Sequence, residues 1–289
     1  MDFTILTYKN LLKSLRSAGY SFNTFKEFIE QGTKSALSVS EGNKEQKIII
    51  LRHDVDLLPQ NSLRFAQIQA GMGIKGSYYF RAVPESWDEK IIKEIASMGH
   101  EVGYHYENMD VAFGKIKDKS QKTKVVKSNI EYEKLLDLAY EDFCINLGKL
   151  RKLVPVNTIC MHGSPRSKFD NKAIWDKYEY KDLGIIGEPY YDVDFDKVFY
   201  LTDTGRRWDG WKVSLRDKVP QQEQWIKEGL VFHSTGDIIR AANEQRLPDK
   251  IMFTFHPQRW NDKMGSWVKE LIGQKAKNLG KRILVKMRT

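Results

Sequence analysis

Ile48-Ile49-Ile50-Leu51-Arg52-His53-Asp54-Val55-Asp56 is the stretch on which the reading of this chain turns. Four apolar residues, three of them β-branched, make a run bounded by polar residues. That pattern predicts a strand buried on both faces of a parallel sheet. The strand's carboxyl end carries two carboxylates and an imidazole, and in α/β folds that end is where chemistry collects. The pattern recurs down the chain. Val102-Gly103-Tyr104 leads to His105, Thr158-Ile159-Cys160-Met161 to His162, Phe199-Tyr200-Leu201 to Asp203, and Met252-Phe253-Thr254-Phe255 to His256. With His53, four of the six histidines fall at predicted strand exits, which points to a shared site.

Around these strands the sequence predicts one domain over residues 1–289, since no repeat or Pro/Gly-rich linker divides it. Residues 1–45 read as a helical cap, with Tyr8, Leu11, Leu12 and Leu15 at helical spacing and a second short helix around Phe25-Ile29. Residues 46–260 alternate strand and helix, the signature of a parallel sheet, open or closed into a barrel. Helices are expected near 60–71, over Ile91-Ile95, from Leu136 to Val154 with Pro155 beyond, and after a Ser234/Asp237 capping box. The stretch 115–128 reads as polar and lysine-rich, 164–196 as turn-rich, and 261–289 as a basic terminal helix.

At 289 residues, 41% hydrophobic and 12% aromatic, the chain has enough apolar material for a substantial core. No signal peptide is evident at Met1-Asp2-Phe3-Thr4, and no uncharged apolar segment has membrane-spanning length, so a cytoplasmic protein is expected. Cys144 and Cys160 lack metal-type spacing and read as buried thiols. The formal net charge of +9 favours an anionic partner: a nucleotide sugar, a lipid-linked pyrophosphate glycan, or peripheral contact with an anionic membrane face. Zinc-finger spacing, RNA-recognition aromatics and basic heptads are lacking, which argues against nucleic acid.

Asp54 and Asp56 stand two apart, so in a strand they face the same way and can divide two roles, one binding a cation and one accepting a proton. His105 and Glu107 repeat the relation. An Asp/His mixture suits zinc or a similar transition metal better than calcium. A metal with an open position generates hydroxide near neutral pH, which predicts hydrolysis assisted by a carboxylate base and an imidazole acid.

Leu51-Arg52-His53-Asp54-Val55-Asp56, Gly99-His100-Glu101-Val102-Gly103-Tyr104-His105 and Phe253-Thr254-Phe255-His256 resemble, in order and separation, the motifs of the polysaccharide deacetylase superfamily (NodB homology). The resemblance covers roughly residues 45–260. It implies a distorted (β/α) barrel and divalent-metal-dependent removal of an acyl group from a sugar. By position it implies Asp54 as general base, Asp56 and His105 as metal ligands and His256 as general acid. Met161-His162-Gly163-Ser164-Pro165 and Thr202-Asp203-Thr204-Gly205-Arg206-Arg207-Trp208 resemble the subgroup encoded in bacterial surface-glycan clusters. The expected substrate is an acylated amino sugar, phosphate-bearing, with Arg166, Asp203, Arg206, Trp208 and Trp211 as candidates for contacting it and Arg207 nearby.

The chain departs from the superfamily at Met109, where a second metal histidine is usual, and a thioether is a poor zinc ligand. His162 is the favoured replacement as third ligand, with Glu107 the alternative. His100 reads as orienting structure and His233 as lying near a helix start. Two other readings compete. Asp54-Val55-Asp56 is also the Asp-x-Asp pattern of metal-nucleotide binding in glycosyltransferases, and Met109 is compatible with a non-catalytic glycan-binding homologue.

Overall fold

In a computed structural model, which describes residues 1–37, 46–119, 129–163, 168–209 and 219–286, the decisive stretch forms strand β2 (Ile48–Val55), buried at every residue. Its flanks explain why. Strand β3 (Ser77–Phe80) pairs with its second half and strand β7 (Lys250–Phe255) runs along its other edge, both parallel to it. Strands β4 (Glu101–Tyr106) and β5 (Ile159–Met161) continue the sheet beyond β3, and β6 (Phe199–Thr202) lies outside β7. The order β5-β4-β3-β2-β7-β6 is an open parallel sheet. This is the alternation the sequence predicts, joined by helices as parallel strands require.

The connecting helices follow the apolar spacing. α3 (Pro59–Gly71) joins β2 to β3, and α4 (Glu89–Ser97) joins β3 to β4 with Ile91, Ile92 and Ile95 buried. α5 (Asn108–Lys119) and α6 (Asn129–Arg151) lie between β4 and β5. Before β6 comes the single turn α7 (Pro189–Asp192), and after it α8 (Gln222–Lys227) and α9 (Thr235–Asn243), the last opened by the predicted Ser234/Asp237 capping box. α10 (Met264–Lys286) closes the described chain. No helix among the described residues is long and apolar enough to cross a membrane.

One expectation is corrected. Residues 1–45 are not a helical cap alone. Between α1 (Ile5–Ser17) and α2 (Phe25–Leu37) runs strand β1 (Ser21–Asn23), which pairs with Ile48–Ile50 and so joins the sheet. Three residues are too few to show a period. The lysine-rich stretch is described only in part. Its first part belongs to α5, whose start buries Met109 and Ala112, while 120–128 lie outside the described residues. Of the two thiols, Cys160 is buried in β5 and Cys144 is half-buried.

Register carries the site. Asp54 lies beside Tyr79 and Tyr79 beside Gly103, so two residues further Asp56, Arg81 and His105 fall on one level with the same facing. His105 in turn lies beside Cys160, which brings Glu107 level with His162. On the other side Arg52 lies beside Thr254, which brings Asp54 level with His256 and Asp56 level with Gln258. Gly103 lets this inner face close up, since a Cβ there would stand 2.3 Å from the Tyr79 ring and 2.8 Å from the Thr158 carbonyl.

Candidate metal centre

Three atoms meet at the top of β2 and β4. His105 Nε2 lies 3.7 Å and His162 Nε2 3.6 Å from the same oxygen, Asp56 Oδ1. The protonation of each imidazole follows from its far side. His105 Nδ1 is 2.9 Å from the Cys160 carbonyl, which can only accept, so Nδ1 carries the hydrogen and Nε2 presents a lone pair. His162 Nδ1 is 2.9 Å from the Glu107 carboxylate, which fixes the same tautomer. Asp56 Oδ1 is buried and has no hydrogen-bond partner among the described residues. Its sister oxygen is held at 3.0 Å by the Gln258 amide.

With both imidazoles neutral, lone pairs converge without a donor between them, an arrangement that is costly unless a cation, either a metal ion or a proton on His162, completes it. Ligand atoms about 2.1 Å from a tetrahedral zinc sit about 3.4 Å apart, close to the separations found here. One carboxylate and two imidazoles also suit zinc or a neighbouring transition metal in type. The residues fit a divalent ion.

Around this centre the electrostatics differ residue by residue. Burial drives the His105 imidazole down to about 4, against the pull of Asp54 and Asp56, so it is neutral at pH 7. Burial would also lower His162, but its bond to Glu107 and the nearness of Asp56 raise it above the ordinary histidine value. For Asp56, burial opposes the charge and His162, His256 and His105 overcome it, leaving the carboxylate below its usual range.

Asp54 sits deeper. Arg52, on the same face two residues earlier, grips both its oxygens at 2.8 and 2.7 Å. Burial resists the charge, but the guanidinium and His105 hold this carboxyl well below the ordinary carboxylate range. On the far side His256 Nε2 lies 4.0 Å from Asp56 Oδ2. Its Nδ1 donates to Asp203 at 2.6 Å, and Asp203 is clamped by the Trp260 indole at 2.6 Å and Arg259 at 3.1 Å.

The structure therefore brings together Asp54, Asp56, His105, His162, Glu107 and His256. It moves others. Asp203 is completely buried behind His256, so it orients that ring and does not face a substrate. Trp208 is buried among Phe3, Phe253, Phe255 and Trp260, with its indole N–H donated to Thr235; no face is left for a sugar. Arg206 is held between the Phe3 and Trp267 rings and donates to the Trp267 carbonyl. Arg207 pairs with Asp209. Arg166 and Trp211 lie outside the described residues.

His53 belongs to the opposite face of β2, where its ring meets Ser77, Gln69 and Tyr8. His100 is structural as expected, bonded to Gly76 and Ala66, and His233 pairs with Asp209 away from the centre. Sequence reasoning missed Arg52 as the partner of Asp54, and Arg81 and Gln258 altogether. The signal existed. Arg52 and Gln258 stand two residues from Asp54 and His256, and Arg81 is the first residue beyond β3.

No family profile and no curated protein matches this sequence. Several solved structures match the chain at low identity. A CE4 family pseudoenzyme from Bacillus anthracis superposes with a TM-score of 0.37 at 12% identity, over 82% of this chain and 63% of that one. The chain thus spans under two thirds of that protein's length. A family 4 carbohydrate esterase of Bacillus subtilis, PdaA, gives 0.35 at 13% identity, over 86% and 84% of the two chains. The catalytic domain of a peptidoglycan N-acetylglucosamine deacetylase from Eubacterium rectale gives 0.39 at 12%, over 84% and 90%.

Proposed function

We propose that the protein is a metal-dependent hydrolase that removes an N-acyl group, acetyl or formyl, from an amino sugar, using one zinc ion held by Asp56, His105 and His162. The observation that carries this reading is the donor-free meeting of Asp56 Oδ1 with the two Nε2 atoms at 3.6 and 3.7 Å. A divalent ion bound there would supply Lewis acidity to the acyl carbonyl and would acidify water toward neutrality. The chain does the rest. Asp54 is the base: it stays ionised, and Arg52 uses one lone pair of each oxygen while leaving others free to accept. His256 is the acid, because Asp203 holds its Nδ1–H and leaves Nε2 to carry a proton to the departing amine.

Within this reading the substrate is phosphate-bearing, linked to a nucleotide or a lipid phosphate and handled in the cytoplasm during surface-polysaccharide synthesis. The formal net charge of +9 supports an anionic partner. The test is product analysis. Zinc-loaded protein given nucleotide-linked and free acylamino sugars should release acetate or formate, faster from the phosphate-bearing form at low salt. Release of nucleoside diphosphate with the acyl group intact would make it a glycosyltransferase, and binding with no product would make it a non-catalytic homologue.

A further inference from the structure

His162 stands just beyond β5, a strand of only three residues. A ligand at the end of so short a strand needs outside support, and every polar group of His162 except Nε2 has it. Its N–H donates to the Tyr106 carbonyl at 2.8 Å, its carbonyl accepts from the Asn171 amide at 2.9 Å, and its Nδ1–H is held by Glu107. Glu107 is itself fixed. Arg81 donates to it from Nε at 3.0 Å and from Nη2 at 2.8 Å to each oxygen.

The remaining arm of the same guanidinium reaches the other way. Arg81 Nη1 donates at 3.1 Å to the main-chain carbonyl of Asp56. One side chain thus holds the backbone of one candidate ligand and the carboxylate that orients another. The pair is largely buried, with side chains 20% and 11% exposed, and a forked contact of this kind sets direction as well as attraction. An ordinary surface ion pair would contribute little and would have no reason to span three strands.

We propose that Arg81 and Glu107 are positioning residues that make His162 the third metal ligand, with Arg81 setting Asp56 and His162 against each other. Glu107 acts through the imidazole and is not itself a ligand. This rests on the metal reading above. The test uses metal-free full-length protein titrated with zinc against a chromogenic chelator, and with cobalt(II) followed by visible absorption. Arg81→Ala and Glu107→Ala should each weaken zinc and cobalt binding by about 10–100-fold, the usual effect of removing a group that orients a ligand.

The double variant should be little worse than Arg81→Ala alone, since Glu107 is fixed by Arg81 and loses its orientation with it, and Glu107→Gln should recover part of the loss by keeping an acceptor for Nδ1–H. Circular dichroism of the metal-free variants confirms folding, and Glu107→Gln carries the test if Arg81→Ala does not fold. Wild-type affinity in either folded alanine variant overturns the proposal, as does a cobalt spectrum in which Glu107 itself is bound. A wild-type protein that takes up neither metal defeats the metal reading instead.

Discussion

Two buried histidines, His53 and His105, begin with the same environment and end with different roles. Both sit in parallel strands, both donate Nδ1–H to a neighbouring strand's carbonyl, and burial lowers them to about 3 and about 4. The difference is at Nε2. His53 Nε2 meets donors, the Gln69 amide at 2.9 Å and the Tyr8 hydroxyl at 3.3 Å, and its ring stacks on Tyr78. His105 Nε2 meets two carboxylates, each at 3.7 Å, which donate nothing. A buried imidazole whose two nitrogens are both satisfied by the protein is part of the core. One left facing only acceptors is waiting for a cation. The parity of the strands, more than the residue type, separates the two.

The comparison predicts opposite losses. His105→Ala should weaken zinc binding by more than about 100-fold and abolish turnover, because one of three ligands is gone. His53→Ala should leave metal stoichiometry unchanged and cost roughly 2–4 kcal/mol of stability, from lost packing and three orphaned partners. Metal analysis and denaturant unfolding of the two variants side by side decide it; reduced zinc uptake in folded His53→Ala would erase the distinction.

His256 sharpens the contrast, because it lies at the centre without being a proposed ligand. His256→Ala should lower kcat by about 10²–10⁴ while metal content is kept. Near-normal kcat in the folded, metal-loaded variant would remove the acid role.

A third test uses pH. His53 titrates near 3 in the folded protein against an ordinary 6.5. Between those values the unfolded chain binds the extra proton, so stability falls as pH drops through 6.5 and levels off below the folded value. The whole effect is of the order of 5 kcal/mol at about 1.4 kcal/mol per pH unit. Unfolding measured from pH 7 to 4 should show about two thirds of this loss, reduced in His53→Gln; parallel curves for the two proteins would contradict it.

The smallest effect belongs to metal affinity. His162 is raised above the ordinary histidine value, so a proton competes for its Nε2 in the neutral range. Zinc affinity should therefore rise with pH there, by up to about tenfold per unit, with protons released on binding. Calorimetry in buffers of different ionisation enthalpy reads the release, and none at pH 6 would contradict this assignment.

Much of this was legible in the sequence because parallel strands place their exits at one end. Asp54, Asp56, His105, His162 and His256 are found together from strand runs and order alone, before any contact is known. What the sequence hides is facing and reach. His53 is next to Asp54 in the chain and opposite to it in space. Trp208 and Arg206 lie close in sequence to Asp203, yet one packs in the core and the other stacks on Trp267. Strand β1 is too short to show a period. Arg81 and Gln258 are single polar residues at strand ends, and only the register between strands reveals that they stand level with Asp56.

Asp56, His105 and His162 form one cation site because, with both imidazoles neutral, their facing atoms are all acceptors. Zinc titration of metal-free protein, with stoichiometry read by elemental analysis after desalting, tests it most directly. The wild-type protein should bind one equivalent, and Asp56→Ala, His105→Ala and His162→Ala should each lose affinity strongly. Zinc retained with unchanged affinity in those three variants, or no metal bound by the wild-type protein, would contradict it.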